Sequence, residues 1–142
     1  MGSSAGRCIC TRINCPEASI LYRTRLNHMA SSIQLKSLAA RIDFCTPAQA
    51  ARGLMFTRPR DRALVFTFSA PAKVALHMWF VFYRIDVLYL DGAGQVLEII
   101  RDFKPFSYYR PKSAASYVIE LPRKRADDIM PGTRIQGLLP DC

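Results

Sequence analysis

The stretch Ala75–Leu90, ALHMWFVFYRIDVLYL, followed by Asp91-Gly92-Ala93-Gly94, decides how this chain is read. It is dense in β-branched and aromatic residues and carries one His, one Arg and one Asp. With those charges inside and only sixteen residues, it is too short and too polar to span a bilayer. Runs of this composition form buried strands that hold a few polar groups in apolar surroundings. Val74–Phe82 and Ile85–Leu90 are expected either as one bent strand or as two. The Asp-Gly-Ala-Gly sequence supplies a turn, and Gln95–Arg101 (QVLEIIR) returns across it as a hairpin partner.

Further strands are expected on either side of this stretch. Ser32–Phe44 reads as a first strand or strand pair, with Ile33, Leu35, Ile42 and Phe44 apolar. Ala63–Ser69 (ALVFTFS) is a strand between the charged loop Arg58–Arg62 and Pro71, and Ser116–Leu121 and Arg134–Leu138 are two more. Thr46-Pro47-Ala48-Gln49 signals a helix start, with a capping residue, a proline at the first helical position and a capping-box glutamine. Gly53 then ends that short helix, and Leu54-Met55-Phe56 follows on the core. Arg125–Ile129 has room for one helical turn, and Met130-Pro131-Gly132-Thr133 is a turn. Phe103–Lys112 is an irregular aromatic and basic segment fixed by Pro105 and Pro111. Many short strands at close spacing favour a sandwich or barrel over alternating β/α units.

Half of the 142 residues are apolar, enough for one domain with a proper core. The net charge is +9, and residues 1–28 carry +3 of it through four arginines against one glutamate. Arginine supplies most of the positive charge, which suits acidic partners such as nucleic acid or anionic ligands. Residues 1–28 mix Cys, Arg and Ser without strand or helix period, so a poorly structured extension is expected there, with 29–142 as a single β-sandwich domain. A start at Met29, with 1–28 as an over-extended reading frame, is one account of that contrast. Five cysteines without framework spacing argue against a disulfide scaffold. Cys8, Cys10 and Cys15 lack a nearby fourth ligand at zinc-site spacing, so no metal and no cofactor is expected. With no secretory signal visible, the expected location is cytoplasmic.

Arg52-Gly53-Leu54-Met55, the strand ending Ile85-Asp86-Val87-Leu88-Tyr89-Leu90-Asp91, and Tyr117–Leu121 with the Pro131-Gly132 turn occur in an order that identifies a family. Over roughly residues 33–138 the chain resembles domain-of-unknown-function family 192, also called uncharacterised protein family 0127. That resemblance implies a mainly β fold, a compact antiparallel β-sandwich of jelly-roll character with one or two short helices. It implies no activity. Common bacterial members have Trp-Met-Lys-Asn-Thr before a Pro-Leu-Asp block. Here His77-Met78-Trp79-Phe80-Val81 stands in that place and Arg84 replaces the proline, which looks like the archaeal branch. No role of the missing Lys-Asn pair carries over.

An extended Ala75–Leu90 would put Arg84 and Asp86 on one face as neighbours, as a strand-end ion pair or as a carboxylate held by Arg84 or Arg52 at a pocket rim. His77 on the opposite face reads first as a satisfied core histidine. No nucleophile is spaced to serve it as a base, and no nucleophile elbow, phosphate loop or dinucleotide fingerprint occurs. Phe103–Lys112 interleaves aromatics with cations, as base stacking on single-stranded nucleic acid or a small ligand resting on a ring requires. The residues singled out for ligand binding are Arg52, His77, Arg84, Asp86, Lys104, Tyr108, Tyr109 and Arg110. The reading that follows is a non-catalytic module for a small ligand or a protein. RNA or single-stranded nucleic-acid binding through 103–112 is one alternative, and a hydrolase-like enzyme using His77, Asp86 and Arg52 is another. The sequence leaves the oligomeric state open.

Overall fold

The structure is a computed structural model, and it describes residues 31–45 and 53–138. The Thr46–Gln49 helix signal, Arg52, the N-terminal extension with Cys8, Cys10 and Cys15, and Cys142 lie outside those residues. Nine strands form among the described residues: β1 Ser32–Gln34, β2 Arg41–Cys45, β3 Arg62–Ala72, β4 Leu76–His77, β5 Ile85–Leu90, β6 Val96–Phe103, β7 Tyr108–Tyr109, β8 Ala115–Pro122 and β9 Arg134–Gln136. Five of them make one sheet in the order β2-β3-β8-β5-β6. The β2–β3 ladder is parallel and the other three are antiparallel. β1 pairs in parallel with β9, and β4 pairs antiparallel with β7.

All six residues of β5 are buried, because each face of the large sheet is covered. A strand covered on both sides reads as a continuous apolar run rather than an alternating one. Leu88 and Leu90 join Ala63, Val65, Ile119 and Leu121 on one face, packed with Leu35, Ile135 and Leu138 from the β1–β9 side. Val87 and Tyr89 join Leu64, Phe66 and Val118 on the other, packed with Met78 and with Leu76 and Tyr109 of β4 and β7. The chain is thus a mainly β, sandwich-like fold with a small ribbon on each side of a larger sheet. The only helical element among the described residues is a 3-10 turn at Leu35–Ser37, which separates β1 from β2 so that the two strands do not pair with each other. No helix among the described residues is long and apolar enough to cross a membrane.

The hairpin turn expected between β5 and β6 forms, closed by its first residue. Asp91 Oδ1 accepts the N–H groups of Ala93 and Gln95 at 2.8 and 2.9 Å, an Asx-type turn. Gly94 adopts φ +78°, and a Cβ there would lie 2.7 Å from the Ile135 carbonyl oxygen. Only glycine allows the turn to dock against β9 this closely, and the Ile135 N–H donates to the Gly94 carbonyl at 2.8 Å.

The expectation of a strand over Val74–Phe82 fails beyond His77. Met78 donates its N–H to the Ser107 carbonyl at 2.8 Å and accepts the Phe106 N–H at 3.0 Å, while Val81 N–H turns back to Met78 O at 3.3 Å. Phe80 has φ +60°, which ends extended structure. The backbone bonds that a long strand would have given to a neighbour are spent on the 106–107 turn, so side-chain parity is not carried from His77 to Asp86.

Candidate functional site

On the sheet face that carries Phe66 and Val118 lies a pocket of about 160 Å3. β3 contributes Phe66 and Phe68, the corner after Gly53 contributes Leu54 and Met55, and the 74–78 segment contributes His77 and Met78. β8 contributes Val118 and Glu120. Period-two alternation explains the last pair: Tyr117, Ile119 and Leu121 face the β1–β9 core, so Val118 and Glu120 must face the pocket. Tyr89 steadies the wall, its hydroxyl donating to the Val74 carbonyl at 3.1 Å; burial pushes that hydroxyl's pKa well up.

Glu120 is the exceptional group. It is buried, and its Oε2 has no hydrogen-bond partner among the described residues. Burial raises its pKa from the ordinary 4.5 to about 7, with the Arg62 guanidinium acting in the opposite direction. A buried carboxyl without a partner is costly, and such groups concentrate where a ligand supplies what the protein does not. Sequence reasoning selects the Tyr117–Pro122 strand and passes over its acid. The signal that could find it is a single carboxylate inside an otherwise apolar strand, at the same parity as Val118. Nearby Cys45 has its thiol pushed up to about 11, first by burial and then by the charges of Glu120 and Asp43, so it offers little thiolate.

The sequence-selected residues distribute differently from the sequence expectation. His77 is exposed on β4 at the pocket rim, not satisfied in the core. Arg84 pairs with Asp102 rather than Asp86, and Arg123 reaches Asp102 at 2.6 Å. Asp86 is 1% exposed, and its two oxygens accept the N–H groups of Asp102 at 2.9 Å and Ala126 at 3.0 Å. The cause is a bulge. Ile85 pairs with Phe103 and Val87 with Ile100, so Arg101 and Asp102 together oppose Asp86, and the displaced Asp102 N–H turns onto its carboxylate. Arg101 extends the same clasp by donating to the carbonyls of Ala126 and Ile129. His77 and Asp86, which a hydrolytic mechanism would need together, therefore serve different places, and Asp86 does not line the pocket.

Lys104, Tyr108 and Arg110 are exposed, whereas Tyr109 turns inward beside Tyr89 at 6.0 Å between ring centroids. The Tyr109 hydroxyl donates to Glu98 Oε2 at 2.8 Å, and the Lys112 and Ser113 N–H groups donate to the same carboxylate. Burial alone would raise the Glu98 pKa, but these hydrogen bonds outweigh it and the net shift is downward. Among the described residues no cluster of His, Cys, Asp and Glu could hold a metal ion.

Comparison with known proteins agrees with this architecture. An uncharacterised protein of family UPF0127 from Thermococcus sibiricus is 38% identical over 73 residues, covering 50% of this chain and 47% of that protein. One from Pyrococcus horikoshii is 39% identical over 83 residues, covering 57% and 70%. The chain thus spans about half the length of the Thermococcus relative. A crystal structure of a candidate transcription regulator from Sinorhizobium meliloti 1021 superposes with a TM-score of 0.60 at 25% identity, covering 66% of this chain and 78% of that one. A protein of unknown function from Novosphingobium aromaticivorans superposes with a TM-score of 0.59 at 20% identity, covering 66% and 71%. The sequence model of DUF192, described as "Uncharacterized ACR", matches residues 31–137, well over half of the chain. The chain belongs to the DUF192 family, with archaeal relatives of the UPF0127 type.

Proposed function

We propose that this protein is a non-catalytic small-ligand-binding module, and that its ligand is a small, largely apolar molecule carrying an amino group. The observation that carries this reading is the unpartnered Glu120 oxygen in an otherwise apolar pocket. A cavity of roughly 150 Å3 holds a benzene-sized molecule, so the pocket matches a ligand of that size. Leu54, Met55, Phe66, Phe68, Met78 and Val118 supply the apolar wall. Phe66 and Phe68 add ring faces that attract a cation, and an ammonium group supplies the hydrogen bond that Glu120 lacks. His77 and Glu120 are the ionisable lining residues, no nucleophile lines the pocket with them, and the nearby Cys45 thiol is held protonated by burial, which favours binding over chemistry.

Calorimetry with benzylamine and toluene as matched probes tests this. Benzylamine is expected to bind at least tenfold more tightly than toluene, and Glu120→Gln is expected to erase that difference. Because the ammonium group needs ionised Glu120, the amine's affinity should rise with pH through about 7. Equal binding of the two probes, or an unchanged preference in Glu120→Gln, would sink the reading.

A further inference from the structure

A second surface uses residues separate from Glu120. Six large aromatic side chains, Phe56, Trp79, Phe80, Phe82, Phe106 and Tyr108, stand between 45% and 64% exposed. They come from three segments laced together by backbone hydrogen bonds: Phe56 N–H to Phe80 O at 3.0 Å, and the Met78 exchange with 106–107. Phe56 and Phe80 stack at 4.9 Å and 21°, and Phe82 meets Phe106 edge-on at 5.8 Å. Phe56, Phe80 and Phe106 all have left-handed backbones, with φ of 58°, 60° and 58°. That conformation is unfavourable for a bulky residue, and strain of this kind clusters at ligand clamps.

The charge on these segments has one sign. Residues 53–60 and 73–84 hold two Lys or Arg each and 104–113 hold three, with no Asp or Glu in any of them. Residues 56–60 and 82–84 also run directly from the aromatic ledge into a groove of about 590 Å3 lined by Tyr83, Arg60, Arg84, Arg123 and Arg125. There Arg84 and Arg123 share Asp102, Arg125 pairs with Asp61 at 2.8 Å, and Arg60 has no ion pair among the described residues. Four guanidinium groups therefore face two carboxylates. The paired side chains are about half exposed, so these pairs are weak competitors for a better anion, and guanidinium forks match phosphate.

We propose that single-stranded nucleic acid binds along this end of the molecule, its bases on the aromatic ledge and its phosphates in the arginine-lined groove. Stacking platforms joined to a cationic channel are what such strands require. A flat anionic membrane could meet the ledge but could not carry its phosphates into the groove, which is why the observations favour a strand.

Fluorescence anisotropy of short labelled homopolymers with the full chain tests this. Binding is expected at about 50 mM salt, weakening steeply toward about 200 mM. Trp79→Ala with Phe82→Ala should weaken it at least tenfold and leave the salt slope unchanged. Arg60→Ala with Arg123→Ala should lower that slope by about 1.4, the share of two phosphates on a single strand. Thermal unfolding checks that both double variants remain folded, and all four side chains are exposed. No binding at low salt, equal binding of duplex and single strand, variants that bind like the parent, or binding to phosphatidylserine vesicles but not to oligonucleotides would each overturn it. These outcomes are independent of the benzylamine result.

Discussion

A carboxyl group set into an apolar wall holds its proton more tightly than one in water, and Glu120 gives that rule a measurable form. Between the unfolded value of 4.5 and the folded value of about 7, the folded protein keeps a proton that the unfolded chain has released. Stability therefore falls as pH rises across this window, is fully retained below it and fully lost above it. At about 1.4 kcal/mol per pH unit the loss approaches about 3 kcal/mol. Glu120→Gln removes the titrating group and should flatten this component of the profile. Urea unfolding at pH 5 and pH 8 checks it: the variant should gain on the parent by up to about 3 kcal/mol at pH 8. Parallel pH profiles for the two proteins would mean that Glu120 is not held neutral. Glu98 shows the converse, since hydrogen bonds from Tyr109, Lys112 and Ser113 outweigh its burial and keep it ionised.

Among the elements, the Asp86 clasp joins β5, the β6 bulge and the 123–129 loop through one carboxylate. Asp86→Ala leaves the buried Ala126 N–H and the part-buried Asp102 N–H without acceptors, at about 1–3 kcal/mol for each group that stays dry, so a loss of about 2–6 kcal/mol in chemical denaturation is expected. Loss below about 1 kcal/mol would show that water replaces the carboxylate. Composition and turn signals were enough to place β3, β5, β6, β8 and the Asp91 turn, because β-branched runs bounded by Gly and Pro leave few alternatives. The exchange between Met78 and the 106–107 turn was not legible, since backbone hydrogen bonds between distant segments leave no trace in side-chain pattern. Strand parity therefore points Arg84 at Asp86, whereas the bulge at Arg101–Asp102 gives each a different partner. Glu120 was legible in principle, as a charge at a core-facing position of β8. The exposed phenylalanines were not, because composition alone places Phe56, Phe80 and Phe82 in a core.

For the molecule as a whole, the order of the large sheet constrains how the chain can fold. β8 lies between β3 and β5, both of which precede it, and Leu64 pairs with Glu120, 56 positions later. β1 waits longer still, pairing Ser32 with Arg134. Among the described strands only β5 and β6 close locally, as a hairpin. Non-local pairing of this kind slows folding into the millisecond-to-second range, and stopped-flow refolding should show it. During synthesis on the ribosome, the two halves of the sheet must stay apart until the strand that joins them has left the exit tunnel. A chain released before residue 115 should be degraded rapidly by protease and show no cooperative unfolding. If such a chain is protected, the strands preceding β8 fold without it. The last strand of the large sheet to be made is the one that seats Glu120, so the pocket cannot exist on a nascent chain whose sheet is unfinished.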